Sequence, residues 1–172
     1  MSHNKETVGE LFEYAIALEK AAETVYTEFG NMFAHSPEVA AFWRSYADEE
    51  RGHASYLERI KGKVDGTRLS YQADVTILEK VHSCLRKISS TQLATMRTLQ
   101  DAFELATELE NSETNTIFEF MIMNFTTDEL AESHKFLRTQ LSSHIAKLEN
   151  GFPTEYKSRI ARQGMLVKEN SS

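Results

Sequence analysis

Cysteine is almost missing from this chain: Cys84 is the single one among 172 residues. That excludes an intrachain disulfide, a cysteine-rich zinc knuckle and a four-cysteine iron–sulfur or rubredoxin-type module. Turn formers are scarce too, with 7 glycines and 2 prolines, which favours long helices over a many-stranded sheet. No apolar run approaches the ~18 residues of a transmembrane span, so no membrane is expected. The stretch from Met1 to Glu6 is polar and lacks the apolar core of a signal peptide, which makes the cytoplasm the expected compartment. Positive charge is in deficit: 19 lysines and arginines face 26 acidic residues, for a net charge of -7. A basic surface for non-specific nucleic-acid binding is thereby excluded. What the chain does have, 41% apolar residues, suits one compact core rather than two domains.

Those apolar residues are periodic. Leu11, Ala15, Leu18, Ala22, Val25 and Phe29 recur at spacings of three and four, which predicts a helix over 7–32. His35-Ser36-Pro37-Glu38 reads as a turn, with Ser36 as N-cap and Pro37 at the first helical position. A second helix over 38–61 follows through Val39, Phe42, Trp43, Tyr46, Ala54 and Leu57, ending at Gly62 to Gly66. A short helix is expected from Ala73 to Leu85, then a break at Ser89-Ser90-Thr91 and a third long helix over 92–124. Thr126-Thr127-Asp128-Glu129 signals the start of a fourth, over 128–150, which closes at Asn150-Gly151. Residues 1–151 are expected to form one all-α, up-down four-helix domain, and 152–172 a polar tail or short helix.

An internal repeat at an offset of 91 organises these segments. Phe12, Glu13, Ala15, Leu18, Glu19, Glu28 and Phe29 recur as Phe103, Glu104, Ala106, Leu109, Glu110, Glu119 and Phe120. His53, Leu57 and Glu58 recur as His144, Leu148 and Glu149, and the Ser36-Pro37-Glu38 start falls over Thr127-Asp128-Glu129. The chain therefore reads as helical hairpin, one long crossover, helical hairpin, a topology that builds metal sites between facing helices.

Counting from the hairpin turns locates such a site. Glu19 lies 13 residues before Met32, His53 lies 16 after Pro37, Glu110 lies 14 before Asn124 and His144 lies 16 after Asp128. At 1.5 Å per residue all four stand at one level, about 20 Å from the turns. Glu50 is one helical turn from His53 and shares its face. Glu19 and Glu110 each interrupt an apolar stripe, and an inward carboxylate in a bundle core is costly unless paired or bound to metal. Oxygen-rich ligation with imidazole suits iron or manganese better than structural zinc. The alternatives are ordinary: hydrogen-bonded or surface histidines, an internal ion pair, or a solvated helix edge. Trp43, Tyr46 and the phenylalanines read as core, and His82 and Cys84 as structural or incidental.

The order Glu19, Tyr26, then Glu50-Arg51-Gly52-His53 resembles the ferritin-like di-iron carboxylate proteins, and among them the rubrerythrin group, over about residues 7–151. In that pattern each half supplies one glutamate and then a Glu-x-x-His. The resemblance implies Glu19 and Glu110 as single carboxylates, Glu50 as a metal-bridging one, and His53 and His144 as imidazole ligands of two iron ions per chain, with manganese or zinc possible occupants. The second Glu-x-x-His is broken, because Leu141 stands where its glutamate should be. Rubrerythrins carry an extra carboxylate one turn after the third-helix glutamate, and Glu113 occupies that place, although it sits in the polar run Asn111 to Asn115. Tyr26, which has Ile117 as its counterpart, is the expected catalytic side chain, donating a hydrogen bond or shielding the site.

The resemblance implies a di-iron oxidoreductase that reduces peroxide or reacts with dioxygen. With no rubredoxin-like module, its electrons would come from a separate donor protein. Two other readings stand beside it: an iron-binding, ferroxidase-type protein feeding storage, and a structural or partner-binding bundle whose metal site has decayed. Aromatic and leucine positions on more than one helix face suggest a homodimer.

Overall fold

The structure, a computed structural model, describes residues 5–90, 98–124 and 146–147, with the backbone alone at 90 and 113–124. Among the described residues the named helices are, in order, α1 (Val8–Met32), α2 (Pro37–Lys63), α3 (Gly66–Leu69), α4 (Val75–Ser90) and α5 (Leu99–Asn124). Among the described residues there is no sheet; the one extended pairing is an isolated bridge between Thr7 and Gln72. The fold is all-α, a bundle of helices.

Short polar side chains set the helix starts. Thr7 caps α1: its hydroxyl accepts from the Glu10 amide at 3.2 Å, while the Glu10 carboxylate accepts from the Thr7 amide at 2.7 Å. That reciprocal box is worth about 0.5–2 kcal/mol to the helix. Ser36 and Pro37 open α2 as the sequence predicts, and the helix runs to Lys63, slightly past the expected end.

The crossover differs more from expectation. Asp65 accepts from the Thr67 amide at 3.0 Å and starts the single turn α3, which the periodicity does not reveal. Asp74 accepts from the Ile77 amide at 3.0 Å, so α4 begins at Val75 and continues to Ser90, beyond the expected Leu85. The third long helix starts at Leu99, not near residue 92. Thr98 and Asp101 explain this, since each side chain accepts from the other's amide, at 3.1 and 3.2 Å. The expected fourth helix over 128–150 and the tail over 152–172 lie outside the described residues, apart from a helical Ala146-Lys147.

α1 is the central element and packs against α2, α3, α4 and α5. Toward the α1–α2 turn the core is aromatic: Tyr26, Phe29, Phe42, Trp43 and Tyr46, closed by Ile88 and by Ala102, Leu105, Ala106 and Leu109 of α5. At the opposite end Val8, Leu11 and Phe12 meet Ala73, Ile77, Leu78 and Val81 in an aliphatic cluster. Ala15, Ile16, Ala54 and Leu57 form a third group between α1 and α2. Near the turn the helices approach closely at Gly30, where a Cβ would sit 3.1 Å from Arg44 Cγ and 3.6 Å from the Ala40 carbonyl. Ion pairs join the exposed edges of α1 and α2: Lys20 with Glu58 at 2.9 Å, Arg51 with Glu23 at 2.7 Å, and Lys61 with Glu13. Such exposed pairs fix register more than they stabilise. None of the described helices is long and apolar enough to cross a membrane.

Candidate metal centre

Among the described residues, four side chains with an acid or imidazole group are buried. They are Glu19 at 3% exposure, Glu50 at 1%, His53 at 8% and Glu110 at 3%. Each owes its place to helix periodicity. Glu19 lies on the face of α1 that carries Leu18 and Ala22, and Glu110 lies beside Leu109 on α5. The three-residue spacing of Glu50 and His53 stacks them on one face of α2.

Glu19, Glu50 and His53 converge so that one ligand atom from each lies within 4.8 Å of the other two. The imidazole Nδ1 of His53 is 3.3 Å from Glu50 Oε2 and 3.5 Å from Glu19 Oε2. Burial drives the Glu50 carboxyl well above the ordinary carboxylate range. The neighbouring Glu19 charge and a hydrogen bond with Glu19 push the same way, His53 opposes them, and the Glu110 charge adds a little more. Burial beside Glu19 thus favours the protonated form of the Glu50 carboxyl, because two adjacent buried carboxylates resist ionising together. A divalent cation in the proton's place would neutralise both acids. Two carboxylates and an imidazole form a hard, oxygen-rich donor set that fits iron or manganese.

Glu110 reaches this level from α5 and is held from across the bundle. The Tyr26 hydroxyl donates to Glu110 Oε1 at 2.5 Å, entirely within the core. Tyr26, two turns along α1 from Glu19, is embedded in rings: it stacks on Trp43 with centroids 5.8 Å apart and planes 7° from parallel. Tyr46 and Phe29 meet its edge at 5.2 and 6.1 Å. These rings are fully buried, so the contact of Tyr26 with Glu110 lies in apolar surroundings of low local dielectric.

Of the residues singled out in the sequence, the structure thus gathers Glu19, Glu50 and His53 into one cluster and ties Glu110 to Tyr26. Glu113 belongs to α5, but its side chain lies outside the described residues, as do His144 and Leu141. His82, read from the sequence as structural or incidental, has partners that the sequence did not reveal. Glu6 accepts from the Tyr14 hydroxyl at 2.7 Å and lies 3.3 Å from His82 Nε2, while the Tyr14 and His82 rings are 4.5 Å apart. His82 is a structural tether between the start of α1 and α4, and residues so distant in sequence gave no periodic signal of it. Lys147 likewise meets Ser45 and Glu49 of α2.

Over residues 10–142 the chain matches the rubrerythrin family. It belongs to that family. No curated protein matches this rubrerythrin-family chain. A solved Thermotoga maritima structure, of a protein assigned as ferritin-like diiron-carboxylate, superposes with a TM-score of 0.60 at 19% identity, covering 86% of this chain and 95% of the other. At that identity the likeness establishes the fold alone: a ferritin-like helical bundle.

Proposed function

We propose that this rubrerythrin-family bundle binds iron at its interior carboxylate–histidine site and acts as an iron-oxidising, ferroxidase-type protein. The observation that carries the reading is the buried convergence of Glu19, Glu50 and His53, with ligand atoms within 4.8 Å of one another. Those three residues would hold a ferrous ion, with Glu110 facing them from α5. Glu113 and His144 are the side chains proposed to complete a second position. Bound iron supplies the electrons that dioxygen or peroxide takes up.

The chain's own groups prepare for this. The protonated form that burial favours at Glu50 competes with a cation for the same oxygens, so uptake is opposed by acid. The paired contacts of His53 with Glu19 and Glu50 fix its ring plane. Tyr26 holds Oε1 of Glu110 in place beside the site. Glu19, Glu50, His53 and Glu110 are themselves buried, which keeps bulk water from them.

Peroxide reduction by a two-iron centre, fed by a separate electron-donor protein, is the second reading. The contact of Tyr26 with Glu110 favours it, since it sets a proton donor beside the site. It requires the second metal position that Leu141 puts in question. Anaerobic titration with ferrous iron, followed by dioxygen or hydrogen peroxide, separates the readings. Saturable uptake lost in Glu50→Ala, with dioxygen as effective oxidant, supports the ferroxidase. A second iron per chain with strong preference for peroxide supports the peroxidase. Absence of saturable uptake refutes both and leaves a structural bundle.

A further inference from the structure

We infer that Lys147 is a positioning residue for the second metal position: it seats the segment that carries His144 against α2, beside Glu50. The use of that position rests on the iron-binding reading above. The contacts of Lys147 do not.

Three groups of α2 meet Lys147 at once. Its ammonium donates to Ser45 Oγ at 2.5 Å, pairs with Glu49 and lies 5.0 Å from the centroid of the Tyr46 ring. Ser45 and Glu49 are four residues apart and share a helix face, while Tyr46 is fully buried in the aromatic core. This grip differs from the ion pairs that join α1 to α2. Lys20 and Glu58 are 58% and 50% exposed, whereas Lys147 and Glu49 are 27% and 33%, so water and salt screen them less. A hydroxyl, a carboxylate and a ring together also fix the direction of a flexible side chain that one carboxylate would leave free to swing.

The path of the chain gives the grip a consequence. The crossover rises from Ala73 and Ile77, beside Val8 and Leu11, to Ile88 in the aromatic core near the α1–α2 turn. There α5 opens, with Leu99 and Phe103 against the same core, and it descends to Glu110, whose charge is felt at Glu50. The helix expected over 128–150 returns from α5, rises toward the turn and so runs opposite to α2. Between antiparallel neighbours, a step back along one is a step forward along the other. Lys147 engages α2 across Ser45 to Glu49, centred on Ala47. Three residues back from Lys147 is His144, and three on from Ala47 is Glu50. The contact thus sets the register that brings His144 opposite Glu50. Because Glu49 immediately precedes Glu50, slack at Lys147 becomes slack between the two ligand-bearing helices.

Titration of the metal-free chain with manganese ions alone, read by calorimetry and by electron paramagnetic resonance, tests this. The unaltered chain should take up two ions and give the exchange-coupled spectrum of a close pair. Lys147→Met should take up one, with the affinity of the first ion unchanged and the spectrum of an isolated ion. Lys147→Arg, which keeps the charge, should recover the pair, and Glu49→Gln should weaken the second ion alone. Lys20→Met, which removes an exposed pair between α1 and α2, should leave both ions bound. Both ions retained in Lys147→Met would overturn the inference, since the second position would need no such seat. Both lost together in Lys147→Met and Glu49→Gln would overturn it too, by showing that Lys147 supports the fold as a whole. A single ion in the unaltered chain overturns this inference alone; no ion overturns the iron-binding reading with it.

Discussion

The two described walls of the candidate metal centre are held in different ways. On one side Glu19, Glu50 and His53 come from a single hairpin, whose helices are joined by a short turn, a close approach at Gly30 and a shared aromatic core. On the other side Glu110 comes from α5, after the crossover, and its carboxylate is fixed by a hydrogen bond to a residue 84 positions earlier. The first wall needs only local order to present three donors. The second depends on tertiary packing, so its contribution can be altered without disturbing the first.

The strongest way to break the hairpin wall is Trp43→Ala. The indole touches Tyr26, Phe29, Phe42 and Tyr46, and its loss leaves a cavity costing about 3–5 kcal/mol. Chemical denaturation should show that decrease, together with loss of metal binding.

Metal itself probes the contrast between walls. Manganese, which does not oxidise in air as ferrous iron does, should stabilise the protein by about 2.7 kcal/mol at a hundred times its dissociation constant. Calorimetry should find that increment gone in Glu50→Ala and only reduced in Glu110→Gln. The pH dependence has a defined sign. Because Glu50 is held above its ordinary value of 4.5, the folded metal-free chain binds more protons than the unfolded one from that value upward. Its stability from this group is therefore lost as pH rises through the raised value. Manganese competes for the same oxygens, so the metal-induced increment should grow over that window.

A smaller effect is expected from the second wall. Tyr26→Phe removes the hydroxyl and leaves a buried carboxylate short of a donor, at a cost of about 1–3 kcal/mol. Its effect on the manganese increment should be slight, since the three hairpin donors are untouched. The smallest change is a gain. Gly52 sits on the exposed side of α2 between Glu50 and His53, and a Cβ there meets nothing within 4 Å. Gly52→Ala should stabilise by about 0.5–1 kcal/mol by restricting the unfolded chain. An unchanged manganese increment in that variant would show that helix stiffness does not limit the site.

Much of the hairpin wall could be read from the chain itself. Spacings of three and four, the Ser36-Pro37 start and a count of residues from the turns put Glu19, His53, Glu110 and His144 at one level, with Glu50 one helical turn from His53, and periodicity alone supplies such information. Side-chain reach between elements was not readable. The Asp65 and Asp74 caps, the late start of α5 at Thr98 and Asp101, and the Glu6–Tyr14–His82 tether all depend on contacts made by short polar groups in the irregular crossover. Tyr26 could be placed near the site from its distance along α1. That its partner is Glu110, and that Trp43 lies flat against it, follows only from how α5 and α2 close around α1.

Anomalous diffraction at the iron edge, from crystals grown anaerobically with ferrous iron, tests the central claim most directly. The account predicts a peak enclosed by Glu19, Glu50 and His53, absent from Glu50→Ala crystals prepared in the same way. Iron found elsewhere, with Glu50 still hydrogen-bonded to Glu19 and no density between them, would contradict it.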